Sequence, residues 1–171
     1  LIKGKYTALR TLQTVLVVLV LFWVAGSIFS GVMLSRHIFS FLPFGNGLLF
    51  ARNLHMLSAY WGFVFMSLHL GFHWNMMMGM VKRLTKNSSA MWAWVFRIIA
   101  LIIAGYGVYA FIKRDIGSYL LFQNQFAFFD FAEPIIRFLL DYMAIMGLFV
   151  VIGHYTSGIT RECKGTKKQE E

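Results

Sequence analysis

Between Arg52 and Lys82 the chain carries no Asp, Glu, Lys or Arg, yet it places three histidines there, His55, His69 and His73. A charge-free run of that length belongs in lipid. About 20 apolar residues cross roughly 30 Å of hydrocarbon, and a helix satisfies its whole backbone within one segment. Three other stretches obey the same rule. No charge lies between Arg10 and Arg36; residues 89–112 are interrupted only by Arg97 near their start; and a run beginning at Pro134, a residue suited to a first helical turn, carries Arg137 and Asp141 in its opening turns. The expected fold is therefore all-α and membrane-embedded: a four-transmembrane-helix bundle. Its helices are expected at about 11–36, 53–80, 89–112 and 134–160, in a single domain over residues 1–171. A Phe-rich interfacial segment is expected at about 117–131 between helices 3 and 4, and a charged cytoplasmic tail at 161–171.

Composition supports lipid as the solvent. Of 171 residues 58% are hydrophobic and only 13% charged, against about a quarter charged in soluble domains. The single Cys163 excludes an internal disulfide and a Cys-rich metal or iron–sulfur site. The formal charge of +9 does not point to nucleic acid, because the cations lie between apolar runs rather than in one patch. The first apolar stretch is too long for a signal-peptide h-region and ends in Arg36-His37 without a small-residue cleavage pattern, so it reads as a span.

Lys and Arg in short loops set orientation. One side holds Lys3, Lys5, Arg10, Lys82, Arg83, Lys86, Arg161, Lys164, Lys167 and Lys168; the other holds Arg36, Arg52, Lys113, Arg114 and Arg137. Ten cations against five place both termini in the cytoplasm.

The histidines carry the functional signal, since ionisable side chains within a span are costly and mark function. At 100° per residue His69 lies about −40° and His73 about 0° from His55, so all three share one helical face. Their axial rise from His55 is about 21 Å and about 27 Å. His37 closes helix 1 at the outer depth of His55, and His154 lies in the last turns of helix 4, level with the end of helix 2. Two depth-matched groups result: His37 with His55, and His154 with His69 or His73. Haem iron in electron transfer takes two imidazoles on opposite faces of the macrocycle, from helices that hold it edge-on. Gly62, Gly71, Gly147 and Gly153 offer small residues where porphyrin would meet helix, and Arg36, Arg52 and Arg97 offer cations for propionates.

Each residue also has a plainer role. A lone membrane histidine serves as a helix–helix hydrogen-bond residue, an arginine as a headgroup anchor, a methionine or tryptophan as packing. Gly105 and Gly107 read as packing positions. Two competing functions stand beside the cytochrome: a His-based metal-ion transporter using His69 and His73 as an i, i+4 pair, and a haem-free membrane anchor of a redox complex.

The segments LHMLSAYWGFVFMSLHLGFHW (54–74), RIIALIIAGYGVYAFIKRDIGSYL (97–120) and DYMAIMGLFVVIGHY (141–155) together resemble the flavinylation-associated cytochrome family, a bacterial four-helix membrane domain. The resemblance covers nearly the whole chain. It implies a multi-pass protein of the bacterial cytoplasmic membrane that binds heme b, two copies on this histidine inventory. Electrons would pass between a quinone or cytoplasmic donor and an extracytosolic, flavinylated redox partner. The role implied is an electron-transfer subunit rather than a stand-alone enzyme, and the implicated ligands are His37, His55, His69, His73 and His154. The His55–His69 spacing also echoes that of cytochrome b in quinol-oxidising complexes, where one helix serves two haems; the folds differ, so this is analogy.

Overall fold

The computed structural model describes residues 8–35, 47–85, 90–124, 130 and 132–167. Among the described residues every regular element is helical: α1 (Ala8–Leu34), α2 (Leu48–Thr85), α3 (Ala90–Lys113), the short α4 (Ile116–Leu120) and α5 (Ile135–Lys167). Three helices are long and apolar enough to cross a membrane: Leu9–Leu34, Trp94–Lys113 and Ile135–Thr160. Large apolar side chains such as Leu101, Ile112, Ile136 and Phe22 stand exposed along them. Soluble monomers rarely expose contiguous apolar surface on that scale. The chain is a multi-pass membrane protein by that measure, and lipid is what its outer surface meets.

α2 is not among the three. Its 38 residues span about 57 Å at 1.5 Å each, but Arg52, Asn53 and its histidines dilute its apolar character. It extends beyond the expected 53–80 at both ends. Leu48, Leu49 and Phe50 continue the helix past Arg52, and the Ala51 amide closes the first turn by donating to the Gly47 carbonyl at 2.8 Å. α5 likewise runs past residue 160 into the charged end. Of the Phe-rich stretch, α4 and the turn after it are described, while residues 125–129 and 131 lie outside the described residues.

The packing order is α1–α2–α5–α3, with α4 bridging α2 and α3 at one end. Among the described residues α1 and α3 do not meet, so the expected bundle is an open row rather than a closed ring. Small residues set the close approaches, as they must where lipid supplies no hydrophobic drive between helices. A Cβ on Gly26 of α1 would lie 2.8 Å from Ser58 Oγ of α2. A Cβ on Gly153 of α5 would lie 2.6 Å from the Leu68 carbonyl of α2, and one on Gly71 would collide with the Val150 carbonyl. Between α3 and α5, Gly107 faces the Ala144 carbonyl and Gly147 faces Ile103.

Gly71 and Gly153 thus bring two backbones into contact, and a side chain at either position forces the helices apart. Gly62 faces Trp23 of α1. All four glycines that the sequence offered for a porphyrin edge therefore meet a neighbouring helix in this arrangement. Of the two expected packing glycines, Gly107 is one, whereas Gly105 has nothing within 4 Å.

At the α4 end, Ala110, Ile116 and Ile145 form a buried core under Tyr60, Phe63, Phe111, Leu120, Tyr142 and Phe149. Asp115 turns the chain from α3 into α4 in the left-handed region (φ 51°), which Asp tolerates better than most residues. Its carboxylate accepts from Ser118 Oγ at 2.6 Å and Asn124 Nδ2 at 2.9 Å. The Trp61 indole N–H donates to the Leu120 carbonyl at 3.1 Å, and Tyr60 stacks on Tyr119 at 4.7 Å, which ties α4 down onto α2.

Candidate functional site

α1 and α5 lie on nearly opposite faces of α2. Position 55 meets α1 and position 71 meets α5, and sixteen residues at 100° each leave about 160° between them. The histidine face of α2 is its α1 face, as the sequence spacing of His55, His69 and His73 requires.

His55 is fixed by that contact. Its Nδ1 lies 3.2 Å from the Ser27 carbonyl and 3.2 Å from Ser30 Oγ, both on α1. Ser30 is fully buried, and its hydroxyl lies 2.7 Å from the Gly26 carbonyl and 3.1 Å from the Ser27 carbonyl of its own helix. A carbonyl only accepts, so the Ser27 contact requires the proton on Nδ1. The Nε2 lone pair is then free for another partner. Metal-bound histidines show this arrangement, with the second ring nitrogen donating to a carbonyl and fixing tautomer and ring direction. Neither serine was singled out from the sequence. The signal was the run Gly26, Ser27, Ser30 and Gly31, which gives α1 a small-residue face of the kind that lets helices meet in lipid.

At the other end of α2, His69 and His73 are neighbours one turn apart, with ring centroids 4.7 Å apart. His69 Nδ1 is buried with no hydrogen-bond partner among the described residues. His73 lines a groove against Arg10, Gln13, Thr14 and Val17 of α1. His154 stands beside Gly153 on α5, its ring edge-on to Tyr155 at 5.4 Å and its carbonyl accepting from Ser157 Oγ at 2.7 Å.

α2 and α5 run parallel: Phe63 meets Tyr142 edge-on at 6.0 Å and, farther on in both helices, Gly71 meets Gly153. His154 is therefore level with Phe72. Both His69 and His73 lie within one helical turn of that level, so depth does not choose between them. His37 and Arg36 lie outside the described residues. Arg97 lies over the ring of exposed Trp94, 5.8 Å from its centroid, a cation–π contact in keeping with an anchor. Arg52 is exposed, three residues before His55.

A second cluster was not singled out from the sequence. Asp141 of α5 is fully buried. One of its oxygens accepts from the Tyr106 hydroxyl at 2.5 Å; the other accepts from Lys113 Nζ at 3.0 Å and from Arg114 at 2.8 and 2.7 Å. Arg114 also grips Glu133 through two bonds of 2.6 and 2.7 Å and lies over the Phe138 ring. The Glu133 bond, above all, raises the Arg114 pKa above its ordinary value, so the guanidinium stays charged. Lys113, Arg114 and Arg137 had entered as topology cations. The missed signal was Asp141 itself, since a carboxylate within a span demands cationic partners. Two acidic and two basic side chains balance here, and both Asp141 oxygens are occupied.

Among the described residues no group of three or more His, Cys, Asp or Glu is placed to hold a metal ion. A haem takes only two axial ligands from protein, so it does not require such a group. For haem the donor chemistry fits: His55 offers an oriented Nε2, and His69 has a buried nitrogen with no partner among the described residues. No family model, curated protein or solved structure matches this chain.

Proposed function

We propose that this chain is a di-haem b-type membrane cytochrome of the flavinylation-associated kind. In this reading it carries electrons across a bacterial cytoplasmic membrane, from a quinone or cytoplasmic donor to an extracytosolic flavoprotein. α2 is then a fourth span, tolerable in lipid because its polar face is covered by α1. Both termini are cytoplasmic, by the cation distribution.

The observation that carries the reading is the His55 imidazole. Its Nδ1 is held at 3.2 Å from the Ser27 carbonyl, and its other nitrogen is left for a ligand. His55, with His37, would hold the outer haem; His154, with His69 or His73, the inner one, a pairing that needs α5 to turn toward the histidine face of α2, which here meets α1. Haem iron when bound supplies one-electron redox chemistry. The chain itself supplies imidazoles, orientation and a sheath of low dielectric. The His69–His73 ring contact also suits the metal-ion transporter, which predicts a colourless protein.

A pyridine haemochrome assay on the purified chain decides first: two haems per polypeptide are expected, and none defeats the reading. His55→Ala is expected to remove one haem and leave the other, since about 21 Å of helix separates His55 from His69. A full complement in that variant would unseat His55 as a ligand. Orientation is tested separately. A cysteine at Lys168, with Cys163 removed, should stay unlabelled by an impermeant reagent in intact cells.

A further inference from the structure

On the cytochrome reading, five histidines for four axial positions leave one over, and His73 lines a groove at the end of the row farthest from α4. Arg10, Gln13, Thr14 and Val17 follow the i, i+3, i+4, i+7 spacing and so present one face of the first turns of α1. That face and His73 of α2 line an open groove of about 360 Å³, a volume comparable with the roughly 300–1,000 Å³ of small-molecule sites.

The lining surface is mainly apolar, with a few polar side-chain groups, and the exposed apolar side chains Val18, Leu21 and Phe22 lie farther along α1. The Thr14 hydroxyl is already given to the Arg10 carbonyl at 2.9 Å. Gln13 and His73 are the uncharged groups that carry N–H donors toward a ligand, and Val17 adds an apolar wall. A ligand that fits has a flat head with carbonyl or hydroxyl oxygens at its edges and an apolar tail that stays in lipid. Among the described residues Arg10 is the one cation of the lining. The His73 ring also touches His69, which stands one turn nearer the middle of α2.

We propose that this groove binds the ring of a membrane quinone, with Gln13 and His73 as its hydrogen-bonding partners, and that His69 is the helix-2 ligand of the inner haem. The second half rests on the cytochrome reading; the first does not. The two oxygens of the ring accept from the Gln13 amide and the His73 imidazole, the ring lies on Val17, and the tail leaves along α1. His69, whose Nδ1 is buried with no hydrogen-bond partner among the described residues, is left to the iron, and a ring bound at His73 sits one residue contact away from it.

The test uses a photoreactive azido-quinone with a short isoprenoid tail, on the full chain in phosphatidylcholine nanodiscs, with haem content measured in parallel. Expected is labelling of the 10–17 segment or of the His73 region, competed by unmodified quinone. Gln13→Leu and His73→Leu should each weaken binding roughly two- to tenfold, the value of one neutral hydrogen bond, with the haem-to-protein ratio unchanged. Labelling elsewhere, or labelling indifferent to both variants, overturns the proposal. So does competition by phosphatidylglycerol in place of quinone, which would make the groove a lipid-headgroup site. Loss of a haem in His73→Leu makes His73 an axial ligand and overturns the assignment while leaving the cytochrome reading intact. Quinone-competed labelling of a wild-type chain that holds no haem supports the groove and defeats the cytochrome reading.

Discussion

The Asp141 cluster and the histidine face of α2 both place polar groups among apolar helices, and they solve the resulting problem in opposite ways. Around Asp141 both carboxylate oxygens are occupied, by Tyr106, Lys113 and Arg114, and Arg114 is paired again with Glu133. Along the α1–α2 seam, Trp23 Nε1, Ser58 Oγ and His69 Nδ1 are buried with no hydrogen-bond partner among the described residues. A buried polar atom left without a partner costs about 1–3 kcal/mol, a cost a fold keeps where something else repays it. The contrast separates a clamp from a site. The satisfied cluster holds the α4 end of α3 and α5 together, and the unsatisfied seam is where the proposed ligand would improve matters.

The contrast is most exposed to failure at Asp141. Asp141→Ala leaves Lys113 and Arg114 facing a buried gap, so a loss of about 3–5 kcal/mol is expected in detergent unfolding. Haem content per folded molecule should stay unchanged. A mild loss of stability with loss of haem would make the cluster part of the site instead.

The α2–α5 contact comes next. Gly153→Ala sets a methyl group 2.6 Å from the Leu68 carbonyl, and overpacking of this kind costs about 1–3 kcal/mol. Gly105→Ala meets nothing within 4 Å and should be neutral or stabilising by up to about 1 kcal/mol. Thermal unfolding of the pair reads the difference; equal effects would mean that the crossing is not where the structure puts it.

A single hydrogen bond sharpens the comparison further. Tyr106→Phe removes one donor from Asp141 and should cost about 0.6–1.7 kcal/mol, the range for such bonds within membranes. Ser58→Ala removes a buried hydroxyl that has no partner among the described residues, so its effect should fall within about 0.5 kcal/mol of zero or be stabilising. If Ser58→Ala costs as much as Tyr106→Phe, the two regions do not differ in how their polar groups are satisfied.

The sequence by itself determined the features that depend on local periodicity and on the cost of charge in lipid. Helical content follows from the apolar runs, and the common face of His55, His69 and His73 follows from 14- and 18-residue spacings on a 3.6-residue helix. Helix ends were read less well. The charge pattern predicts a boundary at Arg52, yet Arg52 lies inside α2, its side chain exposed while the backbone continues.

Tertiary structure alone decided which surfaces meet. That Ser27 and Ser30 of α1 hold His55, that Gly71 and Gly153 bring α2 and α5 into backbone contact, and that α1 and α3 stay apart are pairings between distant segments. No helical period contains them. The same holds for Asp141: the sequence shows a costly carboxylate and nearby cations, but only the close packing of α3 on α5 brings Tyr106, Lys113 and Arg114 onto its two oxygens. Burial energies in lipid scarcely distinguish one apolar face from another, so the choice falls to small residues and polar pairs, which act only once the helices are side by side.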